Sequence, residues 1–174
     1  NDDSGAMGSW YAFNALGLFP IAGTDIYLIN SPQFETITIY LSISPPITFN
    51  IIAHNLTYIP NDESDSVSNY SSINHVVIDA DSLNSASPSS IETDNSRQIY
   101  INPYVQSVKL NGRKWEKTWF RHSDISKGAV MELQMGPKPS KVWGVVDEEI
   151  ENKKAVEDRV VPPSMSDYKT DVVS

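Results

Sequence analysis

The chain contains no cysteine. Disulfides, thiolate metal sites and cysteine nucleophiles are therefore excluded within it. Basic residues are few: 13 Lys and Arg stand against 22 Asp and Glu, for a formal net charge of −9. A phosphate-backbone interface needs clustered Lys and Arg, so nucleic acid is not an expected partner. The charge suits a neutral sugar or a cationic partner. No apolar run approaches the roughly 20 residues that carry a helix across a bilayer, so no membrane span is expected. The histidines His54, His75 and His122 lie on separate segments without ligand spacing, and no metal site is expected from them. A second long helical pattern is also missing.

What is present begins abruptly. Asn1-Asp2-Asp3-Ser4-Gly5 places two adjacent carboxylates on a Gly/Ser turn, and AMGSWYAFNALGLFP follows at once. Ala6, Trp10, Phe13 and Gly17 recur at helical spacing. Asp3 or Ser4 can cap this helix, and Gly17 and then Pro20 end it. A helix apolar on several sides is normally buried in a bundle or barrel, yet no other helix here could bury it. With neither an initiator Met nor a leader, the chain reads as a piece of a larger protein.

From about Asp25 the apolar period changes to two. Ile26 and Leu28, then Ile37, Ile39, Leu41 and Ile43, alternate with polar neighbours. Ile47, Phe49 and Ile51 resume after Pro45-Pro46, so the two runs can form a hairpin. Residues 60–97 are rich in Ser, Asn and Asp and read as a solvated insertion with one short apolar island, Val76-Val77-Ile78. Strands are expected again at Gln98–Ile101 and Val105–Leu110. Asn111-Gly112 is a strong hairpin signal, because both residues tolerate positive φ. Trp115 lies on the returning strand. A capped turn over Ser123–Gly128 leads to a last strand carrying Ala129, Met131, Leu133 and Met135. Residues 144–174 are charged and read as a disordered tail.

Several side chains invite a chemical reading. A carboxylate at a helix start meets unpaired N–H groups and the positive end of the macrodipole, so it stays ionised and suits a general base. An Asp in that place is also commonly no more than a cap. Asp2 and Asp3 are adjacent, so they cannot flank a glycosidic bond, for which an inverting enzyme separates its carboxyls by about 6.5–9.5 Å. Trp10 and Tyr11 follow Asp3 by one to two turns and could form a sugar-binding wall; Trp115, Trp119, Phe120 and Trp143 read rather as core. Arg121-His122-Ser123-Asp124 resembles a triad in composition only and reads as a capped turn. Asn55-Leu56-Thr57 and Asn69-Tyr70-Ser71 are N-glycosylation sequons, relevant in a secreted protein.

The opening NDDSGAMGSWYAFNALGLFP resembles a segment of glycoside hydrolase family 92. So do Tyr27 with Asn30-Ser31-Pro32, Phe34 and Glu35; the block Tyr104–Gly112; Trp119 with His122, Asp124-Ile125 and Gly128; and Met135-Gly136-Pro137-Lys138-Pro139. The likeness runs over about residues 1–144, excluding the insertion.

The resemblance implies a calcium-dependent exo-α-mannosidase that inverts the anomeric centre, acting on 1,2-linked mannose of N-glycans or mannans. It implies a mixed, mainly β fold class. Residues 1–23 would be the last part of an (α/α)6 catalytic barrel, and residues 24–143 a C-terminal antiparallel β-sandwich-like region. Asp3 fills the position of the proposed general base, Asp2 the acidic position before it, and Trp10 and Tyr11 lie beside them. The general acid and most calcium ligands would lie outside this chain, leaving it catalytically incomplete. The implied partner is a mannose-containing oligosaccharide or glycoprotein glycan. A secreted or secretory-pathway location is favoured, with a cytosolic one as the alternative. Two other readings remain open: a non-catalytic carbohydrate-binding or packing β module, and another N-glycan-deglycosylating activity of the amidase type.

Overall fold

The computed structural model describes residues 5–56, 58–59, 75–79, 99–100, 102–146, 154–155 and 158–163; for 58–59, 75–79 and 99–100 the backbone alone is considered. Helix α1 (Ala6–Ala15) comes first, then strands β1 (Leu18–Pro20) and β2 (Ile26–Ile29). β3 (Thr36–Ile43) and β4 (Pro46–His54) follow. β5 (Tyr58–Ile59), β6 (His75–Asp79) and β7 (Ile99–Tyr100) are short. β8 (Tyr104–Leu110), β9 (Arg113–Trp115), β10 (Trp119–Arg121), helix α2 (His122–Ile125) and β11 (Ala129–Gly136) complete the order.

Six strands form one sheet in the order β6-β3-β4-β11-β8-β9. The expected hairpins are both there: β3 pairs antiparallel with β4, and β8 with β9. Asn111 and Gly112 turn the second hairpin at φ 51 and 76, the left-handed pair of a two-residue turn. The sheet is nevertheless mixed, not antiparallel as expected, because β4 lies parallel to β11 and β3 parallel to β6. The apolar island of the insertion is thus the edge strand β6, while most of residues 60–97 lie outside the described residues.

The alternation in sequence fixes which face is covered. Ile37, Ile51, Met131 and Leu110 stand in register across four strands, and all are buried. The opposite face is polar and half-exposed: Thr38 Oγ1 bonds Asn50 Oδ1 at 2.9 Å, and His54 Nε2 meets Glu132 Oε2 at 3.5 Å. A register shift between Gln134 and Met135 breaks the alternation. It is why Val105 and Val108, three apart on β8, are both buried.

A second sheet, β1-β2-β10, covers the apolar face. Phe120 on β10 is fully buried. Its ring stacks on Tyr27 of β2 at 5.2 Å and meets Phe49 of β4 at 5.7 Å, tilted by 57°. One side chain therefore joins the two layers, and burying a phenylalanine of this kind contributes about 1.5–3 kcal/mol. Pro20 does not merely end the helix; it closes β1, an edge strand, where a missing N–H is tolerated.

The expected disordered tail does not extend to residues 158–163. Val160 O accepts from Thr118 N at 2.9 Å, and Arg159 O accepts from the Trp119 indole N–H at 3.1 Å. Pro163 is buried. The rest of the acidic tail is mostly outside the described residues.

Candidate functional site

The opening helix is held at one end. Gly17 adopts φ 74 just after it, and its amide donates to Asn14 O at 3.0 Å. The chain then turns directly into β1. Asn30 N donates to Gly17 O at 2.7 Å, and Gln33 N to Ala15 O at 2.9 Å. The Ser31 hydroxyl donates to the Pro103 carbonyl. The block Asn30-Ser31-Pro32 is thus the seat on which the end of α1 rests, and two stretches singled out separately in the sequence meet in space.

The other end is open. Gly5 is the N-cap, at φ 78, and it offers no side-chain cap. The expectation that Asp3 or Ser4 caps the helix is replaced by a glycine in the left-handed region, which needs no Cβ. Asp2 and Asp3 lie outside the described residues. Trp10 and Tyr11 are 59% and 61% exposed, and Met7, one turn earlier, is 62% exposed. These three share one side of the helix by their three- and four-residue spacing. Asn14 Nδ2 donates to Trp10 O at 2.8 Å within the same helix. Leu16 joins the core with Phe13 packed against it, and Ala15 is buried. Trp10 and Tyr11 are exposed, as is every residue from Gly5 to Ala12.

The remaining candidates divide clearly. Trp119 and Phe120 are fully buried, as core residues should be. Arg121-His122-Ser123-Asp124 is indeed a capped turn: the Asp124 carboxylate accepts from the Arg121 amide at 2.8 Å. Arg121 Nη1 is 2.6 Å from Asp25 Oδ1. Among the described residues, no three His, Asp or Glu side chains come together as a metal site would require.

Trp115 and Trp143 pack against the core, as expected, but only in part. Both are half-buried and line a cavity of about 280 Å³ together with Ser107, Lys114, Glu116 and Val145. Lys114 Nζ lies 2.6 Å from Glu116 Oε1 at its rim. That hydrogen bond, and then the ammonium charge, hold the Glu116 carboxyl below the usual carboxylate range. Lys114 and Glu116 stand two residues apart, a spacing that places side chains on one side of an extended chain, and neither was singled out in sequence.

The glycosyl hydrolase family 92 catalytic domain matches residues 1–137 of the chain. An uncharacterized secreted glycosidase of Arthroderma benhamiae is 28% identical over 144 residues, covering 83% of this chain and 13% of that protein. The family GH92 alpha-mannosidase BT3965 of Bacteroides thetaiotaomicron, solved with mannoimidazole, superposes over 95% of this chain at a TM-score of 0.55 and 27% identity. The GH92 glycosyl hydrolase ccman5, at 24% identity and a TM-score of 0.54, shares the fold. This chain spans 15% of the BT3965 structure and 14% of the ccman5 structure. With more than three-quarters of its residues matched by the family's catalytic domain, and with the opening motif, the Ser31-Pro32 seat and the β8–β9 hairpin all inside that match, the chain belongs to glycosyl hydrolase family 92.

Proposed function

We infer that the chain is the C-terminal part of an α-mannosidase that releases mannose from α-mannosides of N-glycans or mannans, with 1,2-linked mannose as the substrate. The observation that carries this reading is the open helix α1. Its exposed Trp10 and Tyr11 directly follow the Asp2-Asp3 motif, in a stretch that the family's catalytic domain matches from residue 1. Residues 1–23 are then the last part of a helical barrel, and the apolar side of α1 faces the rest of it.

Asp3 acts as general base. Its carboxylate takes a proton from water as the water oxygen attacks the mannose anomeric carbon. The bond from that carbon to the glycosidic oxygen breaks, and an acid outside this chain protonates the leaving oxygen. Attack opposite the leaving group inverts the centre. Asp2, its neighbour in sequence, adds a like charge that raises the proton affinity of the base, while Trp10 and Tyr11 supply an aromatic wall for the sugar. One carboxylate pair at one place cannot serve as acid and base together, so the chain alone is inactive. The family resemblance also implies calcium, with most of its ligands outside this chain; among the described residues no three His, Asp or Glu side chains come together to hold it. Secretion is supported by the secreted relative of Arthroderma benhamiae.

The test is Asp3→Asn in the full-length protein. Mannose release falls by about 10²–10⁴-fold, the range for removing a general base, while the thermal midpoint is kept. NMR of the first product in wild type shows β-mannose. Near-normal turnover in the variant, or α-mannose as first product, overturns the reading. Release of an intact glycan would point to the amidase alternative.

A further inference from the structure

The cavity beside β8 and β9 has the chemistry of a sugar site. Its two tryptophans are pinned through their polar edges. The Trp143 indole N–H donates to Trp115 O at 3.0 Å, and the Trp115 indole N–H donates to Trp119 O at 2.9 Å. Neither ring needs a further hydrogen-bond partner, so what they offer the cavity is aromatic surface in a fixed orientation. Lys117 Nζ lies 4.5 Å from the Trp115 ring centroid and further fixes that ring.

The rim is polar and paired. Lys114 and Glu116 present an ammonium and a carboxylate side by side, both well exposed. Lys114 donates to one Glu116 carboxylate oxygen, and Lys154 also lines the cavity and acts on the Glu116 charge. Ser107 adds a hydroxyl. A pyranose ring has the complementary form: an apolar C–H face to lie on an indole, and neighbouring hydroxyls to accept from an ammonium and donate to a carboxylate. The volume, about 280 Å³, is at the small end for ligand pockets and suits a terminal sugar better than a long segment.

We propose that this cavity is a saccharide-binding site, which holds a mannose unit of the glycan substrate on Trp143 with its vicinal hydroxyls across Lys114 and Glu116. It rests on the reading that the full-length protein acts on mannose-containing glycans, but it shares no residue with helix α1. Its role is to retain a branched or polymeric substrate while its ends are processed.

The experiment is electrophoresis of the full-length protein through gels containing α-mannan, with and without saturating mannoimidazole to occupy the catalytic pocket. Wild type is retarded, and the retardation persists with mannoimidazole. Glu116→Ala, Lys114→Ala and Trp143→Ala each weaken it at least about threefold. Trp143→Ala also removes the bond to Trp115 O, so its folding is checked by thermal midpoint, and the two exposed rim variants decide the matter if it unfolds. The proposal is overturned if wild type is not retarded, if mannoimidazole abolishes the retardation, or if both rim variants match wild type. Absence of mannose release by wild type, with retardation intact, would instead defeat the mannosidase reading and leave the site standing.

Discussion

Gly17 lies against Pro32 so closely that a Cβ on the glycine would come within 2.8 Å of the Pro32 nitrogen and 2.9 Å of the Asn30 carbonyl oxygen. Both obstacles are backbone and cannot swing aside. Gly17 is also at φ 74, a conformation that L side chains rarely adopt. Gly17→Ala therefore costs at least about 1–3 kcal/mol in urea unfolding. Gly23→Ala is the control: φ is 77 there, but a Cβ would enter open space. It should cost less, and equal losses at the two positions would show that the contact with Pro32 carries no weight.

Thr118 gives Val160 two hydrogen bonds at once, from its amide and its hydroxyl, each at 2.9 Å. Thr118→Val keeps the amide bond and removes the hydroxyl one. The expected loss is about 0.5–1.5 kcal/mol, read as a lower denaturant midpoint. Hydrogen exchange at Trp119 Nε1, which donates to Arg159 O, should quicken in the same variant.

Phe120 stands between Tyr27 and Phe49 with no exposed surface. Phe120→Ala leaves a cavity where the two sheets meet and costs about 3–5 kcal/mol. Calorimetry of the full-length protein should place the loss in the transition that unfolds this part of the molecule. An unchanged transition would mean that the layers are held elsewhere.

The Glu116 carboxyl is held below its usual range, chiefly by the hydrogen bond from Lys114. A lowered folded value means that the ion pair's contribution is present above the unfolded value and is lost as pH falls through the folded one. Side-chain carboxyl NMR should find Glu116 ionised at acidities where an unpaired Glu is already protonated. Lys114→Met should move its midpoint up. A midpoint that ignores the substitution would refute the assignment of cause.

Much of this arrangement is written in local pattern. The alternation of Ile37 to Ile43 and of Ala129 to Met135 marks strands and their inner faces, and Asn111-Gly112 marks its turn. Pairing between distant strands carries no such mark. Nothing near Phe49 or Ala129 says that they align side by side in parallel, because that choice depends on how whole faces match. The half-burial of Trp115 and Trp143 was hidden for the same reason: whether an indole is enclosed depends on which segments cross it. At α1 the aromatic character of Trp10 and Tyr11 was plain in sequence. Their outward placement followed only once Gly17 and the Asn30-Ser31-Pro32 seat had fixed which end of the helix is anchored.

The parallel pairing of Ile51 with Met131 sets the order of events during synthesis. Those partners are about 80 positions apart along the polypeptide, so the middle of the larger sheet stays half-built until almost all of this stretch has left the ribosome. Lengthening the excursion between them adds little at equilibrium, since closure entropy grows only logarithmically. It slows assembly, because distant contacts are made late. The β3–β4 ribbon must meanwhile wait with one bare flank, and a nascent chain stalled before residue 129 is where chaperone contact should be sought.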